Sequence, residues 1–292
     1  MNFEDYQAQA LKTDQKPGSD HDALIVSLLG LAGEAGSLLT EYKKLLRDGP
    51  AHQGFTAHVG EELGDLLWYV ANVASKCELS LEEIARQNLV KTQTRWIPPT
   101  KRAPLFDETC DAGEQLPRRF EYTFTYRNVE DTRKVVMLDE AGRPVGDPLT
   151  DNAYSDDGYR FHDVLHLAHA VFLGWSPVTR KLLGRKRKAS PKIDEVEDGG
   201  RAQVIEEAIA AVAYEYATRH ALLHQVERVD WSLLRTIKRL TTGLEVRVRT
   251  EAEWEEALLA AFSAWREIRD HDGGRVQGDL VQRTMRFVPI AS

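Results

Sequence analysis

The sequence predicts a mainly α-helical protein of two domains, an N-terminal helical bundle and a second α-helical domain, with one short β-ribbon opening the second. Three observations predict it. Apolar residues recur at three- and four-residue spacing before residue 97 and again after residue 160, as in helices that bury one face. One segment, Phe120-Glu121-Tyr122-Thr123-Phe124-Thr125-Tyr126, alternates aromatic and polar residues with the period of a strand. The chain has 292 residues, 42% of them apolar, enough for two ordinary cores.

Residues 3 to 13 form a short helix with Phe3, Tyr6, Ala10 and Leu11 on one side, broken by Pro17-Gly18-Ser19-Asp20, where Asp20 is placed to cap the next helix. That helix runs to about Arg47 on an apolar stripe of Leu24, Leu28, Leu31, Ala35, Leu38 and Leu39, and Asp48-Gly49-Pro50 stops it. A second long helix spans about Thr56 to Lys76. Ser80-Leu81-Glu82-Glu83 opens a third with a capping box. Pro98 and Pro99 end the first domain, 1 to 97, and residues 98 to 118 read as linker. The second domain, 119 to 292, begins with a hairpin at about 119 to 140, its second strand being Lys134 to Leu138. It continues as helices at 161 to 174, 200 to 220, 231 to 240 and 251 to 269, where Trp231, Leu234, Ile237, Leu240, Trp254, Leu258, Phe262 and Trp265 recur at core spacing.

The formal charge of −8 argues against a general nucleic-acid binder and favours a small substrate. Cys77 and Cys110 are the only cysteines and form no metal-type pair, so a reducing cytoplasm is expected. The start of the chain lacks the basic residues of a signal peptide, and the apolar run at 23 to 33, ending at Glu34, is short for a bilayer span, so no membrane partner is expected. The chemistry sits where charge interrupts apolar helix. Glu62 and Asp65, three apart among Leu63, Leu66, Leu67 and Val70, project from one face, and carboxylates beside a core need a cation or a partner. Converging oxygens suit Mg2+.

Residues 3 to 97 resemble a MazG-like nucleotide pyrophosphohydrolase domain. Glu34 within Gly-Leu-Ala-Gly-Glu-Ala-Gly matches the family's first glutamate, Glu62 and Asp65 its Glu-x-x-Asp pair, Lys43-Lys44 its basic pair, and Asn88, Lys91 and Arg95 its closing segment. The resemblance implies hydrolysis of a nucleoside triphosphate, or deoxynucleoside triphosphate, to the monophosphate and pyrophosphate, with Mg2+ or Mn2+ on Glu34, Glu62 and Asp65. It implies phosphate contacts from Lys43, Lys44, Asn88, Lys91 and Arg95, and a homo-oligomer, dimer or larger. Glu61 is placed as a base or as a carboxylate behind the ligands. The family's second glutamate falls at Ser37, and Glu41, two turns from Glu34 on the same face, is the substitute that spacing offers. The competing reading is a nucleotide-binding sensor or scaffold with a weakened site. The C-terminal half resembles the extension found with some MazG-like domains.

That half holds its own constellation. His162, His166 and His169 recur at helical spacing, and Glu206-Glu207 lie in a later apolar helix. Two readings stand, a zinc-like metal site or a buried polar cluster hydrogen-bonded to Glu206 or Glu207. The basic run from Arg180 to Lys188 reads as a solvated loop balanced by the acidic run 194 to 198 rather than a grip on phosphate or RNA.

Overall fold

The computed structural model describes residues 1–97, 99 and 102–290. The chain divides into two compact units, Met1–Gln93 and Thr94–Ser292. The proline stop expected after Ile97 falls partly on Pro98 and Thr100, outside the described residues.

The first unit is helical: α1 (Phe3–Ala10), α2 (His21–Asp48), α3 (Phe55–Lys76) and α4 (Leu81–Trp96), which runs on past the unit's end. Local chemistry sets these limits. The Asp20 side chain accepts from Ala23 N–H at 2.8 Å to start α2, and Gly49 at φ 56° ends it. Ser80 accepts from Glu83 N–H at 3.2 Å to start α4. The other half of that capping box is replaced, since the Glu83 carboxylate takes the Arg86 guanidinium at 2.6 and 2.7 Å.

The helices α2 and α3 pack side by side, and Gly30 is why they come so close. A Cβ there would stand 2.1 Å from the Tyr69 ring, so only a residue without one lets that phenol lie against α2. Glu34 meets Asp65, and Glu41 meets His58, in the same antiparallel order. Interpolated, that order sets Ser37 level with Glu62.

The buried core of this unit is small: a cluster of Ala10, Ala71 and Leu81, backed by Tyr6, Trp68 and Val70, with Ala23 and Ala74 buried besides. The stripe expected to be core on α2 is not buried. Leu28 and Leu39 are exposed, with Leu29, Leu46, Leu63, Leu67 and Leu89. An 18-residue window within His21–Ala51 is long and apolar enough to cross a bilayer by length and composition alone, a test that the core helix of a soluble protein also passes.

In the second unit the expected ribbon is one part of a five-stranded antiparallel sheet. Its strands are β1 (Arg119–Val129), β2 (Thr132–Leu138), β3 (Pro144–Leu149), β4 (Gly274–Asp279) and β5 (Thr284–Val288), ordered β3-β2-β1-β4-β5. The C-terminal hairpin thus returns to pair with the first strand, Tyr122 opposite Val276 and Phe120 opposite Gly278. Phe120, Tyr122 and Phe124 alternate onto the buried face.

Helices lie between β3 and β4: α5 (Asp163–Ala168), a π-helical turn (His169–Leu173), α6 (Pro177–Leu182), α7 (Pro191–Val196), α8 (Gly200–Arg219), α9 (Trp231–Leu240) and α10 (Glu251–Asp270). The last two match the expected helices, and Trp254, Leu258, Phe262 and Trp265 of α10 are buried. Leu240 is exposed instead.

Two expectations are corrected here. Residues 102 to 118 are not a free linker, because Leu105, Asp107 and Leu116 are buried in the second unit. The run from Arg180 to Lys188 is not a solvated loop. The Arg180 and Arg187 side chains are buried, Arg180 on Asp107 at 2.7 Å, and Arg187 on Asp198 at 2.7 Å and Glu245 at 2.6 Å.

Lys76 does comparable work in the first unit. Its buried ammonium donates to Asp14 at 2.5 Å and to the Lys16 and Gly18 carbonyls at 2.8 and 3.3 Å, pinning the α1–α2 connection onto α3. Lys76→Met leaves Asp14 buried without a cation. It is expected to destabilise the unit by about 3 kcal/mol, measured by calorimetric or urea unfolding of the full chain. A loss within experimental error would show the pair to be dispensable.

Candidate active site

The helices α2 and α3 bring three carboxylates together. Glu34, Glu62 and Asp65 each offer an oxygen, and these atoms lie within 4.8 Å of one another. Glu34 and Glu62 are half-buried and Asp65 is exposed, so the cluster opens to solvent on one side. Burial raises the Glu62 carboxyl above the usual carboxylate range, and the Glu34 carboxylate, with its charge and hydrogen bond, raises it further, as do Asp65 and Glu41. An all-oxygen cluster with mutual repulsion fits a hard divalent cation, whose charge would remove the repulsion.

The other expected site residues go elsewhere. Glu41 is buried, but its carboxylate holds Lys44 Nζ at 2.5 Å and the rings of His52 and His58 at 3.2 Å each. It is thus engaged with these three side chains beside the triad, near enough for its charge to act on Glu62. The Lys44 hydrogen bond leads in keeping the Glu41 carboxyl below its ordinary value, so it is a carboxylate matched by cations. His52 and His58 were not singled out from sequence, although His58 sits four residues before Glu62 and so on its face of α3. Glu61 and Lys43 are exposed, as are Asn88 and Lys91 on α4. Arg95, which falls in the second unit, lays its guanidinium over the Trp231 ring, 4.5 Å from its centroid.

The second unit gathers the histidines. His162 precedes α5, His166 lies in it and His169 opens the π-helical turn, and their rings follow one another with centroids 5.7 and 6.1 Å apart. Glu206 of α8 is fully buried and accepts from His169 Nδ1 at 3.0 Å, Ser176 Oγ at 2.8 Å and Val178 N–H at 2.8 Å. Burial alone would raise its carboxyl; His166 and His169 more than offset that and hold it down to about 2. His166 is 0% exposed. Its Nδ1 lies 3.1 Å from Glu206 Oε1 and its Nε2 3.3 Å from Glu207 Oε2, yet neither contact is aligned as a hydrogen bond.

Comparison with known proteins adds two family matches. Residues 26–96 match the MazG nucleotide pyrophosphohydrolase domain and residues 101–291 match the MazG C-terminal domain. The chain is also similar to the Gene 37 protein of Mycobacterium phage L5, 36% identical over 101 residues, which cover 32% of this chain and 89% of that protein. No solved structure matches.

The charge cluster has a consequence for stability. Because the folded Glu62 carboxyl titrates above its unfolded value near 4.3, its ionised form opposes folding at neutral pH, and the penalty is relieved as pH falls through the raised folded value. In chelator at neutral pH, Glu62→Gln is therefore expected to melt no lower than the unsubstituted chain, and the gap should narrow toward pH 5. Scanning calorimetry of both proteins across that range reads it. A variant less stable at neutral pH would contradict the assignment of strain to this cluster.

Proposed function

Because the chain belongs to the MazG family of nucleotide pyrophosphohydrolases, we propose that its first unit hydrolyses a nucleoside triphosphate, or deoxynucleoside triphosphate, between the α and β phosphates, with Mg2+ or Mn2+ as cofactor. The observation that carries this reading is the triad of Glu34, Glu62 and Asp65, three oxygens on two helices within 4.8 Å. These three side chains would hold the ion. When bound, it neutralises phosphate charge and acidifies the attacking water.

The chain's own residues do the rest. Anchoring the carboxylates on two packed helices fixes where the polyphosphate sits, so the orientation cost is met before substrate arrives. Lys43 on α2 and Lys91 on α4, both exposed, would stabilise the charge that moves onto the departing pyrophosphate. Lys44 acts through Glu41, holding that carboxylate and its two histidines beside the triad. Glu61 lies on the solvent side of α3, where a role as base would need the water to approach from outside the cluster.

A second reading rests on Ser37. With a hydroxyl at position 37 and with Glu41 paired to Lys44, an ion would find the three carboxylates Glu34, Glu62 and Asp65 among the described residues. Such a site could hold a nucleotide as a sensor without turning it over.

The oligomer is part of the same proposal. Leu28, Leu29, Leu39 and Leu46 of α2 and Leu63 of α3 are exposed, an apolar surface that residues 20 to 97 of a second copy would cover.

Three measurements test these readings. A panel of nucleoside triphosphates with Mg2+, assayed for released pyrophosphate, is expected to show turnover that Glu62→Gln and Asp65→Asn each reduce at least about 100-fold with the fold retained. Full turnover by either variant overturns the assignment. Calorimetric titration with Mn2+ is expected to tighten in Ser37→Glu. Nucleotide binding without turnover in the natural chain, converted to turnover by that substitution, would establish the sensor. Light scattering is expected to give a dimer or larger, and a strict monomer would exclude the self-association.

A further inference from the structure

We propose that the second unit carries a site for one divalent first-row transition ion, held by His162 Nε2, His166 Nε2, Asp163 Oδ1 and Glu207 Oε2. Ligand atoms of His162, Asp163 and His166, all buried residues, lie within 4.8 Å of one another.

The hydrogen bonds decide which atoms are open. His162 Nδ1 donates to the Tyr159 carbonyl at 2.9 Å, which leaves Nε2 with its lone pair. That nitrogen faces Asp163 Oδ1 at 4.0 Å and Glu207 Oε2 at 3.9 Å. Hydrogen bonds would close such gaps to about 2.7–3.2 Å. Atoms sharing one ion at about 2.0–2.2 Å each stand roughly 3–4 Å apart, which is the spacing found. His166 supplies the independent sign. This fully buried imidazole sits between two carboxylates, Nδ1 3.1 Å from Glu206 Oε1 and Nε2 3.3 Å from Glu207 Oε2, and Nε2 makes no aligned hydrogen bond, which leaves it open to an ion shared with Glu207. The Asp163 carboxylate has no hydrogen-bond partner among the described residues.

His169 and Glu206, expected among the ligands, stand behind them. The Glu206 oxygens are taken by Ser176, Val178 and His169, and Oε1 sits 3.1 Å from His166 Nδ1, where a carboxylate orients a metal-binding imidazole. Two imidazole nitrogens with two carboxylates suit Zn2+, Co2+ or Fe2+ better than Mg2+ or Mn2+, so this site and the all-oxygen triad of the first unit would select different ions. Glu207 is half exposed and gives the ion a way in from solvent.

The test uses the full chain carrying Glu62→Gln and Asp65→Asn, so that the first-unit triad is disabled whether or not it is catalytic. After chelator treatment, Zn2+ calorimetry and Co2+ visible absorption are expected to show one bound equivalent with the ligand-field bands of nitrogen and oxygen coordination. Adding Glu207→Gln should weaken Zn2+ at least about tenfold, as should Asp163→Asn. Because Glu207 lies at the edge of the site, its variant is expected to keep the circular dichroism and melting profile. No binding by the disabled chain overturns the proposal. So do isotherms indifferent to Asp163→Asn and Glu207→Gln, which would place the ion on Glu41, His52 and His58 instead.

Discussion

Like charges in a half-buried place repel, and bringing Glu34, Glu62 and Asp65 within reach of one ion is possible only because another interaction holds their backbones together. That interaction is the antiparallel pairing of α2 with α3. It sets which side chains meet, it pushes the Glu62 carboxyl upward, and it determines that the neighbouring Glu41 finds Lys44 and two histidines instead of joining the triad. The small core of Ala10, Ala71 and Leu81 does little of this holding by burial alone. Close backbone approach and the pinned α1–α2 connection therefore matter more than apolar area in this unit.

The second unit handles charge by matching it. Asp107 binds Arg118 and Arg180, and Asp198 and Glu245 bind Arg187, so three separated segments are tied together through buried guanidinium groups. Against that pattern His166 stands apart, since among the described residues it is the one with two buried side-chain atoms lacking hydrogen bonds. The two units thus present opposite donor chemistry, oxygen clusters open to solvent in one and imidazole nitrogens inside the other.

Much of this was legible because local signals agreed with the fold. Asp20 and Ser80 announced their helices, and the aromatic period from Trp254 to Trp265 marked a buried face. The carboxylates on α3 were visible because charge inside an apolar run is expensive without a reason. The strand β4 was hidden for a physical cause. Its buried positions are Gly274, Val276 and Gly278, and the space two glycines leave is filled by the rings of Phe287 and Phe120, so no apolar alternation reaches the sequence. Arg180 and Arg187 misled for a similar reason. A basic run reads as surface, and only long-range partners such as Asp107 and Glu245 reveal that two of its members are inside. The spacing of His162, His166 and His169 suggested one helical stripe, and the rings do follow one another, while the π-helical turn that begins at His169 shifts only the residues after it.

Gly30 and Tyr69 stand one helical turn from Glu34 and Asp65 respectively, so the phenol lying on a bare backbone acts as a spacer next to the triad. The separation of the two helices that carry the carboxylates is thereby set, at that turn, by the thickness of one aromatic ring on a bare backbone.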